Sequence, residues 1–312
     1  MSTTTLAPPR PTVVVKKGRF PKVAQTPTYT TRYGRAYQAD ALDLLQAMPS
    51  NSVSLVVTSP PFALVRKKSY GNVASEDYVE WLWPFAEEIH RVLRPDGSFV
   101  LELGGAWNPG SPTRSLYQYE TILRLCQLFH LAQDFYWYNP SRLPTPAEWV
   151  TVQRTRVKDA VSPIWWLSKS ERPHADNRQV LRPYSDSMQK LLKNGYKAAK
   201  RPSQHVISTN FNRDNGGAIP PNLMSISNTC SNEEYLRQCK AAELPIHPAR
   251  FPAAVPDFFI RFLTQRGQLV YDPFAGSNVT GAAAEALERL WVSSELREEY
   301  VEGSRFRFPE AI

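Results

Sequence analysis

A doubly wound α/β sheet is the fold this chain predicts, and three observations carry the prediction. Apolar, β-branched runs such as residues 53–57 stop abruptly at breaker residues, as strands buried on both faces of a parallel sheet do. Helical periodicity separates such runs, with Trp81, Phe85, Ile89 and Leu93 at i, i+4 spacing. Near the carboxyl end a strand, a small-residue turn, a helix, a strand and an acid follow one another, the order of a nucleotide-binding β-α-β unit.

The elements follow in order. A short strand over residues 35–38 leads to Asp40 and a helix over 41–48. The central strand at 53–57 stops at Thr58 and delivers Ser59, Pro60, Pro61 and Phe62, and residues 77–93 form an amphipathic helix in which Trp81 belongs to the core. Pro95, Asp96 and Gly97 turn the chain into a strand at 98–103, followed by Gly104 and Gly105. A helix over 115–130 and strands at 135–138 and within 157–169 complete this half. Pro163 places the last of these at a sheet edge, because proline cannot donate to a ladder. From 171 to about 245 the texture turns polar and basic, as in an inserted region. Order returns with a helix over 257–263, a strand over 268–271, a helix over 280–290 and a strand at 291–294 that ends on Glu295.

At 312 residues, with 42% hydrophobic and 12% aromatic content, the chain can bury a substantial core as one large domain with an insertion or as two modest domains. No apolar run approaches the roughly 20 residues of a membrane span, and no basic segment followed by an apolar stretch opens the chain. The expectation is a soluble intracellular protein. Cys126, Cys230 and Cys239 are too scattered for a disulfide framework or a metal site.

A net charge of +8 points to a polyanionic partner, and its distribution is more telling. Residues 172–213 hold nine Lys or Arg against Asp176 and Asp186, a surplus of seven. Arg182, Lys190, Lys193, Lys197, Lys200, Arg201 and Arg213 are the candidates there for gripping phosphates. The Thr- and Pro-rich residues 1–30 read as a flexible basic tail.

Ser59 through Phe62 carry the chemistry. A proline offers a carbonyl acceptor and no amide donor, so two after a serine line a pocket with acceptors, which suits a bound amino group. An exocyclic base amine is a poor nucleophile because its lone pair is delocalised into the ring. Acceptors that favour its pyramidal form stabilise the transition state over the flat ground state. Ser59 Oγ and the Pro60 carbonyl are the candidates, with Phe62 as an aromatic face for a base swung out of a duplex. Asp40, at a strand end, suits either a nucleotide contact or a plain helix cap.

Asp272, Pro273, Phe274, Ala275, Gly276 and Ser277 resemble the S-adenosylmethionine-binding motif of amino-group DNA methyltransferases, and Ser59-Pro60-Pro61-Phe62 resembles their catalytic motif. Adenine-modifying members commonly begin the latter with Asp or Asn, whereas serine resembles the cytosine-N4 enzymes. The order of catalytic block, basic region and cofactor loop resembles the circularly permuted β group. The resemblance implies a Rossmann-like fold with a seven-stranded mixed sheet, and S-adenosylmethionine held by the cofactor loop with Asp40, His247, Pro248, Phe251 and Glu295. It divides the chain into a tail (1–30), a catalytic half (31–170), a target-recognition region (171–245) and a cofactor half (246–312). Ser277, Asn278 and Val279 depart from the second glycine and threonines that many members carry.

It further implies a monomer acting on double-stranded DNA in the bacterial cytoplasm, paired with a cognate restriction endonuclease. Similarity over the whole chain to one member implies the inner cytosine of CAGCTG as target. Adenine-N6 methylation and a non-catalytic, sequence-specific DNA-binding regulator are the alternatives. No metal is required.

Overall fold

The computed structural model describes residues 19–63, 73–195, 213–228, 233–250 and 252–311; Lys197, Lys200, Arg201, Phe251, Cys230 and most of the amino-terminal tail lie outside them. The first half runs β1 (Tyr29–Thr30), β2 (Gly34–Gln38), α1 (Ala41–Ala47), β3 (Val53–Thr58), α2 (Tyr78–Val92), β4 (Leu93–Glu102), α3 (Tyr117–Leu125), β5 (His130–Tyr138) and β6 (Val161–Ser168). Then follow α4 (Asp186–Asn194), β7 (Leu223–Ser225), α5 (Glu234–Ala241), α6 (Ala254–Leu263), β8 (Leu269–Asp272), α7 (Val279–Ala286), β9 (Leu290–Glu295) and α8 (Glu298–Ser304).

The strands form one mixed sheet in the order β1-β2-β9-β8-β3-β4-β6-β5-β7, nine strands where seven were expected. The two additions are short edge pieces: β1 pairs antiparallel with β2, and β7 pairs parallel with β5. They cap edges that would otherwise expose unpaired backbone groups. The seven strands between them are the expected sheet.

Alternation along β3 shows why the sheet is covered on both faces. Val56 packs with Leu44, Leu45, Leu82 and Ile89 of α1 and α2. Leu55 and Val57 pack with Val255, Phe259, Ile260 and Ala284 of α6 and α7. Every residue of β3 is buried, as a central parallel strand requires.

Two local expectations are corrected. The Pro95–Gly97 turn does not precede β4 but lies within it: Val53 pairs with Leu93 and Leu55 already with Ser98, so the extra residues bulge out of the ladder. β6 is not an edge strand, since it lies between β4 and β5. Pro163 is tolerated because the β4 ladder ends at Glu102 opposite Ile164. The Pro163 carbonyl still accepts from Leu103 N at 3.4 Å, so its missing N–H faces the space past the end of β4.

The topology reverses between β3 and β8. From β3 the chain crosses through α2 to β4 on one side, while from β8 it crosses through α7 to β9 on the other. Such a switch point opens a crevice beyond the carboxyl ends of parallel strands, where ligands of doubly wound sheets bind. Both motif loops begin there.

Candidate active site

A cleft of about 600 Å³ opens at the switch point, within the usual range for a ligand-sized site. Ser59 through Phe62, Asp272 through Ala275, Ser277, Asp40, His247, Pro248 and Glu295 all line it. Residues from both ends of the sequence therefore meet because β3 and β8 are neighbours.

The cofactor-side loop is tied down by its own hydrogen bonds. Phe274 N donates to Asp272 Oδ1 at 3.1 Å, Ala275 N to the Ser294 carbonyl at 3.0 Å and Gly276 N to Glu295 Oε2 at 3.0 Å. Gly276 sits at φ +51°, and a Cβ there would lie 2.9 Å from the His247 ring. Only glycine meets both demands. Asn278, at φ 54°, caps α7 by accepting from Gly281 N, so the departure from a glycine-rich turn is met by another residue type that tolerates the left-handed region.

Asp272 is buried, and burial raises its carboxyl to about 6 against the lowering effect of the hydrogen bonds from Thr58 and Phe274 N. Thr58 Oγ1 donates to Asp272 Oδ1 at 2.7 Å and so links the base of one loop to the other. Glu295 accepts from Gly276 and from Arg297 N at 3.0 Å, and burial raises its carboxyl too. A carboxylate has about four lone-pair sites, so acceptor capacity remains beside the cleft. Asp40 caps α1 through Leu42 N at 2.8 Å, as one of its two readings has it, and also lines the cleft.

These features fit S-adenosylmethionine: an acid at the end of β9 for hydroxyls, a tight small-residue turn, and aromatic walls from Trp81, Phe85 and Phe274. Trp81 therefore belongs to the core and to the cleft wall together.

On the other side, Ser59 Oγ donates to Glu102 Oε2 at 2.7 Å. Glu102 ends β4 and is 3% exposed; burial raises its carboxyl to about 7, opposed by the hydrogen bond from Ser59, by nearby Ser162 and by the charge of Arg142. Sequence reading passed over this residue. Its one local signal was an acid closing the apolar run Phe99, Val100, Leu101, a position equivalent to Glu295 on β9. Phe62 lies against Gly104, where any Cβ would collide with its ring. The Gly104 carbonyl is held by the Tyr117 hydroxyl.

Arg182, Lys190, Lys193 and Arg213 are all exposed and lie apart from the cleft lining, whereas Asn228, just past β7, is part of it. The basic region thus returns to the site through β7.

The permuted doubly wound sheet and its paired switch-point loops define an S-adenosylmethionine-dependent methyltransferase. The chain belongs to the DNA methylase family, which matches it over residues 53–306. It is 52% identical to the type II methyltransferase M.PvuII of Proteus hauseri, over 90% of this chain and 85% of that one. The solved structure of PvuII DNA methyltransferase (cytosine-N4-specific) superposes with a TM-score of 0.75 at 45% identity, covering 92% of this chain and 90% of that one. The M1.HpyAVI–SAM complex shares the fold at a TM-score of 0.53 and 17% identity, over 88% and 99% of the respective chains. Among the described residues no helix is long and apolar enough to cross a membrane.

Proposed function

We propose that this enzyme methylates N4 of a cytosine flipped out of double-stranded DNA, as the modification partner of a type II restriction endonuclease. The observation that carries this reading is the hydrogen bond from Ser59 to the buried Glu102. A hydroxyl has one proton and two lone pairs. Because Glu102 takes the proton, Ser59 Oγ faces the cleft as an acceptor. With the Pro60 carbonyl it makes a pair of acceptors for the two hydrogens of an amine.

S-adenosylmethionine, held along Asp272–Ser277 and Glu295, supplies the electrophilic methyl group. The protein's own part is positional and electrostatic. Ser59 and Pro60 favour the pyramidal amine, Phe62 stacks on the ring, and the proton released after transfer passes through Ser59 to Glu102. A carboxyl raised to about 7 is suited to that exchange near neutral pH.

The target is CAGCTG, methylated at its inner cytosine, a reading supported by the 52% identity to M.PvuII. Residues 171–245 act as the target-recognition region, where exposed Arg182, Lys190, Lys193 and Arg213 hold phosphates. The enzyme acts as a monomer in the bacterial cytoplasm, one strand at a time.

The test is to incubate the protein with unmodified DNA and S-adenosylmethionine, digest to nucleosides and identify the product by mass. N4-methylcytosine is expected, with cleavage by a CAGCTG-specific endonuclease blocked in parallel. N6-methyladenine would reassign the substrate, and absence of product despite tight DNA binding would favour a regulator.

A further inference from the structure

Beyond the acceptors for the amine, the cleft has a wall that the transfer step does not use. It is formed by Asn139, Arg142 and Ser162. Ser162 is buried, stands among the groups that hold the Glu102 carboxyl down, and accepts from Arg142 Nη1 at 3.2 Å. Two bonded pairs, Ser59 with Glu102 and Arg142 with Ser162, therefore stand in the lining of the same cleft.

Arg142 is half-buried and held by its backbone. Its N–H donates to the Asn139 carbonyl at 3.2 Å, and its carbonyl accepts from Lys158 Nζ at 3.1 Å. Asn139 is itself fixed, its side chain accepting from Ser141 N at 3.1 Å. A guanidinium carries five N–H donors in a planar fork. Ser162 takes one, and among the described residues no other hydrogen bond from the Arg142 guanidinium is seen.

Cytosine and adenine both present an amine beside one ring nitrogen, so an amine-binding pair of acceptors cannot tell them apart. The next position differs. Cytosine carries the O2 carbonyl there, a strong acceptor, while adenine carries a C–H that can accept nothing. Discrimination requires a donor across the pocket from the amine site, anchored by something other than the base.

We propose that Arg142 is that donor: Ser162 anchors its guanidinium so that it hydrogen-bonds the O2 edge of the flipped base, selecting cytosine over adenine. The assignment rests on the cytosine reading above. It makes Arg142 a substrate-contacting specificity residue and Ser162 its positioning residue.

The experiment compares single-turnover methylation of two CAGCTG duplexes. One carries cytosine at the target, and the other a 2-aminopyridine C-nucleoside, which keeps the amine and its neighbouring ring nitrogen but lacks O2. Wild-type enzyme is expected to favour cytosine by roughly ten- to a hundredfold, the effect of one hydrogen bond to a charged group. In Arg142→Met that preference collapses to within about threefold, because the contact is already absent. S-adenosylmethionine affinity and thermal midpoint, read alongside, report folding. If the Met variant does not fold, Arg142→Leu, which likewise carries no donor, is read for the same loss of preference.

A variant that retains the wild-type preference overturns the role of Arg142, as does a wild-type enzyme indifferent to O2. Failure of wild-type enzyme to yield N4-methylcytosine on the cytosine duplex would instead remove the reading on which the inference rests.

Discussion

Ser59 through Phe62 and Asp272 through Ser277 leave neighbouring parallel strands, yet the two loops treat hydrogen-bond donors in opposite ways. In the cofactor loop the amides of Phe274, Ala275 and Gly276 are all present and all spent internally, on Asp272, Ser294 and Glu295. In the catalytic loop Pro60 and Pro61 have no amide to spend, and the Ser59 proton is given to Glu102. One loop is rigid because its donors are satisfied, and on the proposed reading its shape is what holds the cofactor. The other presents unsatisfied acceptors, which are what a base amine needs. If the proposed roles hold, binding and chemistry are separable at this switch point, and substitutions should separate them.

The largest separation is expected from Ser59→Ala, which removes an acceptor from the catalytic loop alone. Single-turnover methyl transfer should fall about a thousandfold while S-adenosylmethionine affinity stays within about twofold. Equal losses in a cofactor titration and a rapid-quench assay would mean that the loops are not independent. Gly276→Val makes the converse cut. Both the φ of +51° and the 2.9 Å approach of His247 oppose a Cβ. Cofactor affinity should drop by about a hundredfold or more, as binding sites displaced by around an ångström commonly do, with transfer at saturating cofactor less affected.

Glu102→Gln is expected to act through pH as well as rate. With the carboxyl at about 7 in the folded protein against an ordinary 4.5, the unfolded chain ionises first. This group's contribution to stability is therefore full below about pH 4.5, declines as pH rises and levels off above about 7. Removing the charge should make the variant gain on wild type between pH 5 and 8, by up to about 3 kcal/mol in denaturant titrations. Transfer should move the other way. Wild-type turnover falls as pH drops through about 7, because a protonated Glu102 cannot take the proton from Ser59, and the variant should lose roughly a hundredfold together with that pH limb.

How much of this was legible in the chain depends on the range of the interaction. The two loops were readable because each is a contiguous string whose residue types state their geometry: prolines that cannot donate, a glycine in a crowded turn. The parallel strands were readable from β-branched runs ending in breakers. Glu102 was not. Its raised carboxyl comes from burial at the end of β4 beside Ser162 of β6, a contact 60 residues away in sequence that no local pattern encodes. Pro163 misled for a related reason. A proline excludes a ladder bond only where a partner strand is present, and β4 ends one residue short of it.

Thr58→Val tests a side-chain joint between the two loops and carries the smallest expected effect. Thr58 Oγ1 donates to Asp272 Oδ1 at 2.7 Å in a wholly buried setting, so the isosteric valine removes a hydrogen bond without leaving a cavity. Asp272 keeps its bond from Phe274 N but loses one that holds its carboxyl down at about 6, so the proton binds more tightly still. Destabilisation of about 1–3 kcal/mol is expected from the acceptor left short of a partner. Because the joint lies beneath both loops, cofactor affinity and methyl transfer should decline together, each by only a few-fold. A loss confined to cofactor binding would show that Asp272 serves its own loop alone, and that the catalytic loop is held by Glu102 without help from β8.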